Sequence, residues 1–233
     1  MGTGKPRKED GSLKETKAPF DIYLITDGTG SSPSNLITRV EEALAGGIGA
    51  VQLREKGLCG AKLLTLARQM RELTARYNAK LLINDRVDIA LLSEADGVHL
   101  GHGSMPPEAA RSLLGPKKLI GVSTHSLGEA KEAQALGADF IVFGPVYHTA
   151  SKAAYGRPAG VKALKETVAA VRVPVYGLGG IDIENTQEVL DTGCAGVALI
   201  SAILSAPEVR KSAEALVEAL IKRRLKDGQQ GRP

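Results

Sequence analysis

Eight short apolar runs alternate along the chain with longer segments in which apolar residues recur every three or four positions. The short runs are rich in Val, Ile and Leu, and they do not alternate with polar residues. Continuous apolar runs of this length are typical of parallel strands that are covered on both faces. We therefore predict eight strands, at residues 22–25, 50–53, 80–83, 97–99, 118–121, 140–143, 173–176 and 196–199.

The segments between these runs have the spacing of amphipathic helices. In the second segment, Leu63, Ala67, Met70 and Leu73 follow one another at intervals of three or four residues, which is the helical period. Glycine and proline mark several of the segment ends, as they do at helix boundaries. The predicted helices are 35–45, 61–77, 86–92, 107–114, 127–136, 161–171, 184–192 and 207–225.

Regular alternation of strands and helices predicts parallel βαβ units. An open nucleotide-binding sheet would usually carry G-x-G-x-x-G after its first strand, whereas Thr26-Asp27-Gly28 stands there. With 233 residues, 43% of them hydrophobic, the chain can bury one large core. We predict an α/β fold with a single (β/α)8 TIM barrel at residues 20–221, between basic tails at 1–19 and 222–233.

The formal net charge of +4 belongs to the two tails and not to the barrel. Residues 1–19 hold five Lys or Arg against three Asp or Glu, residues 222–233 hold five against one, and residues 20–221 therefore carry −2. Only 3% of the residues are aromatic and none is Trp, so the chain lacks stacking platforms for bases. We expect no nucleic-acid partner, because such proteins show a basic face on the folded body.

Other compositional features bear on location. No stretch of about 18 apolar residues is present, so we expect no membrane span. The lysine-rich segment 1–19 lacks the apolar core of a secretory signal. Cys59 and Cys194 have neither metal-ligand spacing nor the pattern of a disulfide framework. These features predict a cytoplasmic protein, and they leave a homo-oligomer open because no apolar pattern singles out an interface.

Polar residues follow most of the predicted strands. In a (β/α)8 barrel, the residues that act on a ligand lie at these C-terminal strand ends. All four histidines of the chain, at 99, 102, 125 and 148, lie in or beside them. We expect one polar mouth, formed by residues 26–27, 52–56, 84–86, 99–104, 123–125 and 144–152.

Small residues end the last two predicted strands. The sequence G-L-G-G at 177–180 follows the seventh strand, and I-S-A at 200–202 follows the eighth, where a further helix is expected to begin. Backbone N–H groups in such turns can approach an anion closely, and the loops after these two strands commonly bind phosphate in barrels. The alternative is that the glycines only permit tight turns, since short glycine motifs are unspecific. The motif alone leaves both interpretations open.

Three cations are candidates for binding a diphosphate: Arg54, Lys56 and Lys152. Arg binds phosphate oxygens through parallel N–H groups, and Lys supplies a point charge. The alternative for each residue is a surface salt bridge with Glu55 or another carboxylate. Lys152 closes a hydroxyl-rich stretch, and the Gly- and Pro-containing residues 153–160 that follow have the composition of a flap that excludes water.

Asp85, beside Asn84, offers the hard oxygen ligands that Mg²⁺ takes when it shares ligation with a bound phosphate. Asp is also a preferred N-cap, so Asp85 alternatively caps the predicted helix 86–92, and one role does not exclude the other. His125 is a candidate general acid or base at neutral pH. The alternative for His125 is that it only holds a neighbouring loop by hydrogen bonds.

Seven motifs occur in a fixed order between about residues 22 and 225. They are V-Q-L-R-E-K, L-I-N-D-R-V-D-I-A, D-G-V-H-L-G, G-V-S-T-H-S, G-A-D-F-I-V-F-G-P-V-Y, G-L-G-G-I and A-L-I-S-A-I. In these motifs the chain resembles the family of thiamine-phosphate synthase and its sister, the thiazole tautomerase. The resemblance covers the predicted barrel and leaves out both tails.

For the synthase, the resemblance implies coupling of 4-amino-2-methyl-5-hydroxymethylpyrimidine diphosphate with a thiazole phosphate, with Mg²⁺ as cofactor. Pyrophosphate departs first, and the thiazole nitrogen captures the resulting pyrimidine-methyl cation. By motif, Asp85 would ligate Mg²⁺ and Ser123 would touch the pyrimidine ring. The pyrimidine diphosphate would be held by Gln52, Arg54, Lys56, Asn84 and Lys152. The thiazole phosphate would be held by Thr149, Ala150, Ser151, Gly180, Ile200 and Ser201.

One position departs from the synthase pattern. The synthase has a second magnesium Asp a few residues beyond H-L-G, where this chain has Ser104, a far weaker ligand than a carboxylate. The segment G-S-M around Ser104 resembles the tautomerase branch, in which His125 matches a histidine assigned acid–base work. Lys56 and Asp85 resemble the synthase. The sequence therefore favours the synthase, with the metal-independent tautomerase and a non-enzymatic phosphate-ligand sensor as alternatives.

Overall fold

A computed structural model describes residues 19–28, 32–149 and 157–230 of the chain. Eight parallel strands close into a barrel in chain order, with β1 paired to both β2 and β8. This confirms the predicted single (β/α)8 TIM barrel. The strands are β1 Ile22–Ile25, β2 Ala50–Leu53, β3 Lys80–Asn84, β4 Gly97–Leu100, β5 Leu119–Thr124, β6 Phe140–Phe143, β7 Val175–Leu178 and β8 Gly196–Leu199.

Helices cover the outside of the barrel. Their apolar faces pack against the outward-facing strand residues, as the three- and four-residue spacing predicts. Among the described residues no helix is both long and apolar enough to cross a bilayer. The helices are α1 Pro33–Ala45, α2 Gly60–Arg76, α3 Val87–Leu92, α4 Pro107–Leu114, α5 Leu127–Ala135, α6 Gly160–Ala170, α7 Thr186–Leu190, α8 Ser201–Leu204 and α9 Val209–Gln230.

Several boundaries differ from the predicted ones. The seventh strand begins at Val175 and runs through Leu178, so Gly177 belongs to the strand and the glycine turn is reduced to Gly179 and Gly180. The fifth strand extends to Thr124. Residues 222–230, which the sequence assigns to a basic tail, continue α9. Residues 1–18 and 231–233, the rest of the two predicted tails, lie outside the described residues.

An aromatic cluster fills the inside of the barrel. The rings of Phe20, Tyr23, Phe140 and Tyr176 are buried, and Phe140 meets the edges or faces of the other three at centroid distances of 5.2–5.6 Å. Gly121 makes room for them, because a Cβ there would lie 2.2 Å from Cζ of Phe140. The barrel is thus a packed core whose polar residues are confined to its ends.

The half-buried carboxylate of Asp96 stabilises the N-terminal end of the barrel. Asp96 accepts hydrogen bonds from the backbone N–H of Leu81 at 2.9 Å and from Nζ of Lys80 at 3.0 Å, and it also pairs with Arg71. Burial by itself would raise the pKa of the Asp96 carboxyl, but these hydrogen bonds and charges hold it below its ordinary value. A folded-state pKa below the unfolded one stabilises the fold at higher pH, and this stabilisation is lost as the pH falls through the folded-state pKa.

We expect Asp96→Asn to lower the free energy of unfolding by about 1–3 kcal/mol at neutral pH, because Leu81 and two cations lose a charged acceptor. The difference from wild type should shrink below about pH 4, where the wild-type carboxyl takes up a proton. Urea unfolding of wild type and Asp96→Asn, from neutral pH to below pH 4, measures the difference in free energy of unfolding. Glu218→Gln is the control, since Glu218 only meets Lys222 on the exposed surface. A difference that is independent of pH would contradict the assignment.

Candidate active site

A cavity of about 600 Å³ opens at the C-terminal end of the barrel, between the ends of β1, β6, β7 and β8. Its volume is within the range of small-molecule sites, about 300–1,000 Å³. Four of the residues predicted to bind phosphate line it: Thr149, Gly180, Ile200 and Ser201. The lining also includes the carboxylates of Asp27 and Asp182, which were not among the predicted site residues.

The glycine turn after β7 is required by the close approach of its neighbours. Gly179 and Gly180 have φ of 102° and 65°, a left-handed region that other residues rarely adopt. A Cβ at Gly180 would lie 2.7 Å from the carbonyl oxygen of His148. The side chain of Asn185 donates to the Gly180 carbonyl at 2.8 Å and fixes the turn from the other side. The tight-turn interpretation is therefore correct, and it is compatible with phosphate binding because the same turn lines the cavity.

The loop after β6 is tied to this turn. The backbone N–H of Tyr147 donates to the carbonyl of Gly179 at 2.9 Å, and the Tyr147 hydroxyl donates to the carboxylate of Glu188 at 2.5 Å. Burial and the neighbouring Glu188 raise the pKa of Tyr147 to about 12, so the phenol keeps its proton and remains a donor. These bonds hold Thr149 beside the cavity. Nothing in the sequence indicates the pairing of Tyr147 with Glu188, since the two lie 41 residues apart.

Asp85 lies at the mouth, at the end of β3, in an unusual conformation. Its φ of 59° is in the left-handed region, which Asp tolerates better than most residues but which still indicates local strain. Its side chain accepts a hydrogen bond from Nδ2 of Asn84 at 2.9 Å. The predicted helix cap is wrong: α3 begins after Arg86, and no side chain makes the capping bond. The Asp85 carboxylate therefore accepts no capping hydrogen bond from α3.

Ser104, the second predicted metal position, contacts Asp85 directly. The Ser104 hydroxyl donates to Oδ1 of Asp85 and accepts from the backbone N–H of Gly101, the latter at 2.7 Å. Within the described residues no group of three or more His, Cys, Asp or Glu could hold a metal by itself. One carboxylate with one hydroxyl instead fits Mg²⁺, which keeps several waters and takes further oxygens from a substrate phosphate.

Of the three cations predicted to bind the diphosphate, the two that the structure describes make no ion pair with another described residue. Arg54 is half-buried after β2, and Lys56 is exposed. In the described part of the chain neither forms a salt bridge, and Glu55 is not their partner. The backbone of Arg54 is fixed by a bond from its N–H to the hydroxyl of Thr26, at 2.9 Å. Both side chains therefore remain able to bind an anion.

Two predicted residues lie on the floor of the mouth, above the aromatic cluster. Gln52 is 1% exposed, and its Nε2 donates to the Tyr23 hydroxyl at 3.1 Å. Ser123 is half-buried, and its hydroxyl lies 2.8 Å from Nε2 of His99. Tyr23 was not predicted to take part, and His99 was placed in the mouth without a role. Both residues belong to predicted strands. Only the structure, in which their side chains point into the barrel, shows that Tyr23 bonds to Gln52 and His99 to Ser123.

His125 is exposed at the end of β5. Its Nδ1 bonds to the backbone carbonyl of Gly144. A carbonyl oxygen can only accept, so Nδ1 carries the proton and Nε2 is the basic nitrogen in the neutral ring. The interpretation that His125 holds a neighbouring loop is therefore correct, and Nε2 remains available for proton transfer.

The barrel brings the predicted residues to one end, but only some of them share the cavity. Arg54, Lys56, Asn84 and Asp85 follow β2 and β3, across the mouth from the glycine turn. They do not line the 600 Å³ cavity. The remaining predicted residues, Ala150, Ser151 and Lys152, lie outside the described residues, as do residues 153–156 of the predicted flap.

Comparison with known proteins gives one consistent result. The model of the family described as thiamine monophosphate synthase (TMP-TENI) matches residues 22–203. A protein of Geobacter sulfurreducens named "Putative thiamine-phosphate synthase" is 56% identical over 211 residues, which are 91% of this chain and 99% of that protein. The thiamine-phosphate synthase of Clostridium novyi is 42% identical over 197 residues, 84% of this chain and 97% of that protein.

A solved structure is similar as well. The thiamine phosphate pyrophosphorylase of Pyrococcus furiosus superimposes with a TM-score of 0.79 at 38% identity. The match covers 88% of this chain and 96% of that chain. The matched lengths show that the similarity extends over the whole barrel.

Proposed function

The chain belongs to the thiamine monophosphate synthase family, and we propose that it is the transferase that couples 4-amino-2-methyl-5-hydroxymethylpyrimidine diphosphate with a thiazole phosphate. The products are thiamine phosphate and pyrophosphate. The observation that carries the proposal is the two-sided mouth. One side is the cavity of about 600 Å³ lined by Gly180 and Ser201. The other has Arg54, which forms no salt bridge with another described residue and follows β2 beside the end of β3.

The thiazole phosphate would occupy the cavity. Its phosphate would lie against the small residues of the β7 and β8 ends, Gly180, Ile200 and Ser201, with Thr149 across from them. Small residues allow backbone N–H groups to reach the phosphate oxygens. The predicted neighbours Ala150 and Ser151 would complete this side.

The pyrimidine diphosphate would lie across the mouth. Arg54 and Lys56, joined by Lys152, would bind its diphosphate, and Asn84 would donate to it. Gln52 and Ser123, which are fixed from below by Tyr23 and His99, would orient the pyrimidine ring. A ring held from a rigid floor presents its methylene carbon to the thiazole nitrogen, and such positioning lowers the entropic cost of the reaction.

The chemistry requires no protein nucleophile. The bond between the methylene carbon and the diphosphate oxygen breaks, and both electrons leave with pyrophosphate. The thiazole nitrogen then donates its lone pair to the carbon and forms the new bond. The group that gains charge is the leaving diphosphate, so fixed cations beside it stabilise the transition state. Exclusion of water by the surrounding loops would keep the pyrimidine-methyl cation from hydrolysis.

We propose Mg²⁺ as the metal of this site, held by Asp85 with Ser104 beside it and completed by diphosphate oxygens and water. When bound, it would neutralise charge on the diphosphate. The chain's own contribution is to keep the Asp85 carboxylate oriented. Asn84 and Ser104 each donate to a different oxygen of that carboxylate.

The tautomerase alternative depends on His125 as an acid–base group. In the neutral ring Nδ1 of His125 donates to the Gly144 carbonyl, and Nε2 is the nitrogen that could take up a proton. The relatives at 56% and 42% identity carry synthase names. The synthase is therefore the function that we propose.

A chelation experiment tests this proposal. We expect thiamine phosphate to form from the two substrates in the presence of Mg²⁺, to fall to background with EDTA, and to return when Mg²⁺ is added in excess. The physical reason is that one carboxylate and three cations leave part of the diphosphate charge uncompensated. Absence of product with Mg²⁺ present would refute the synthase. Chelator-resistant aromatisation of a thiazole carboxylate phosphate, lost in His125→Ala, would establish the tautomerase instead.

A further inference from the structure

Arg39 connects two parts of the barrel that are far apart in the sequence but adjacent in space. It lies on α1, half-buried, and its Nε donates to the carbonyl of Leu204 at 2.8 Å while its Nη2 donates to the carbonyl of Ala206 at 2.7 Å. These carbonyls belong to the last residue of α8 and to the turn that follows it. Among the described residues Arg39 has no carboxylate partner. Its planar guanidinium binds the backbone at the end of α8 and in the turn after it.

The short helix α8 needs such a connection. It comprises only Ser201–Leu204, far fewer than the roughly 12 residues at which an isolated helix becomes even marginally stable. Ile203 is fully buried and fixes how closely the helix packs against the core. Ala202 and Leu204 add partly buried contacts with the core, but apolar contacts are not directional, whereas two hydrogen bonds of defined direction fix the rotation of the helix. Arg39 also supplies donors to carbonyls that a helix end leaves without partners.

The other end of α8 borders the cavity. Ile200 and Ser201, which follow β8, line the 600 Å³ cavity, and Arg39 does not. Arg39 instead lines a neighbouring cavity of about 250 Å³ between α1 and α8, which shares Asp27 with the larger one. Arg39 does not line the larger cavity, so its hydrogen bonds to the end of α8 are its link to Ile200 and Ser201.

We propose that Arg39 is a positioning residue that holds Ile200 and Ser201 in the geometry that binds the phosphate of the thiazole substrate. The proposal rests on the proposed function, because it names a determinant of one of its two substrate subsites. We expect the larger effect on the thiazole phosphate, because the two carbonyls that Arg39 binds belong to α8 and to the turn after it, whereas the loop after β2 only shares the 250 Å³ cavity with Arg39, through Glu55.

Steady-state kinetics of Arg39→Met and Arg39→Lys tests the proposal. Met keeps the length of the side chain but none of its donors, and Lys keeps the charge but lacks the planar fork. We expect the KM for the thiazole phosphate to rise about 5- to 30-fold in Arg39→Met, as two hydrogen bonds are lost. Arg39→Lys should show a smaller rise in this KM than Arg39→Met. The KM for the pyrimidine diphosphate and the kcat at saturation should stay within about twofold.

Arg111 provides a matched control at the opposite end of the barrel. It also donates to two backbone carbonyls, those of Gly115 and Lys118, and it pairs with Asp139. Arg111→Met should lower the thermal unfolding temperature without changing either KM. An unchanged KM for the thiazole phosphate in Arg39→Met would overturn the proposal. An equal rise of both KM values would overturn it as well, since that is the result of general loosening.

A binding measurement separates this inference from the proposed function. Inorganic phosphate is titrated against wild type and Arg39→Met, with thermal stabilisation as the readout. Weaker phosphate binding in the variant supports the positioning role even if wild type forms no thiamine phosphate. Equal phosphate affinity in the two proteins, or no binding to wild type, overturns it. Loss of coupling activity in wild type itself would refute only the proposed function.

Discussion

Replacing Arg54 with Ala should weaken binding of the pyrimidine diphosphate by about 2–5 kcal/mol, the range for loss of one partner from a desolvated charge pair. This corresponds to roughly a 30-fold to several-thousand-fold loss of affinity. The reason is that Arg54 is half-buried and makes no ion pair among the described residues. Its charge is therefore available to a ligand, and Lys56, a point charge, does not reproduce its two parallel donors.

Calorimetric titration of the diphosphate in the presence of Mg²⁺ measures this effect. Arg54→Lys should fall between wild type and Arg54→Ala, because it keeps the charge but not the two parallel donors. Arg68→Ala makes the same change of charge on the exposed face of α2 and should leave the affinity unchanged. If Arg54→Ala bound the diphosphate as tightly as wild type, Arg54 would have to be removed from the site.

Asp85→Asn should reduce the coupling rate by about 100-fold or more, since loss even of a residue that only supports a metal ligand commonly costs 10- to 100-fold. Asn keeps the shape of the side chain, accepts the bond from Ser104 and tolerates a positive φ. The variant should therefore unfold at nearly the wild-type temperature. Activity as a function of Mg²⁺ concentration, measured beside thermal unfolding, separates the lost ligand from a lost fold. Wild-type activity at low Mg²⁺ would exclude Asp85 as a ligand.

The companion variant Ser104→Asp adds a carboxylate to the proposed metal site, whereas Asp85→Asn removes one. Since the Ser104 hydroxyl already contacts Oδ1 of Asp85, a carboxylate at this position would lie beside the first. Two adjacent carboxylates repel each other without a cation and attract one strongly. We expect half-maximal activity at a lower Mg²⁺ concentration than in wild type, and a lower unfolding temperature when EDTA is present. A higher Mg²⁺ requirement would contradict this arrangement.

Much of the fold is already present in local patterns. The runs at 22–25, 50–53, 140–143 and 196–199 match β1, β2, β6 and β8 to the residue, because a strand buried on both faces must be apolar throughout. The seventh strand was placed too early because Val173 and Pro174 extend its apolar run, although pairing with β6 and β8 starts later. The last helix was predicted to end at 225, whereas α9 runs to Gln230, since the polar residues 226–230 give no apolar stripe.

The sequence by itself determined the barrel, the common mouth and the family, because strand–helix alternation and the order of the motifs are local properties that survive without coordinates. Tertiary structure alone decided which side chains meet. Ser104 contacts Asp85 across 19 residues of chain, and Arg39 reaches the end of α8 across 165. Such contacts depend on the direction of each side chain after the barrel closes, and spacing along the chain carries no record of that direction. The same closure placed Thr149, Gly180 and Ser201 around one cavity and left Arg54 and Asp85 across the mouth from it.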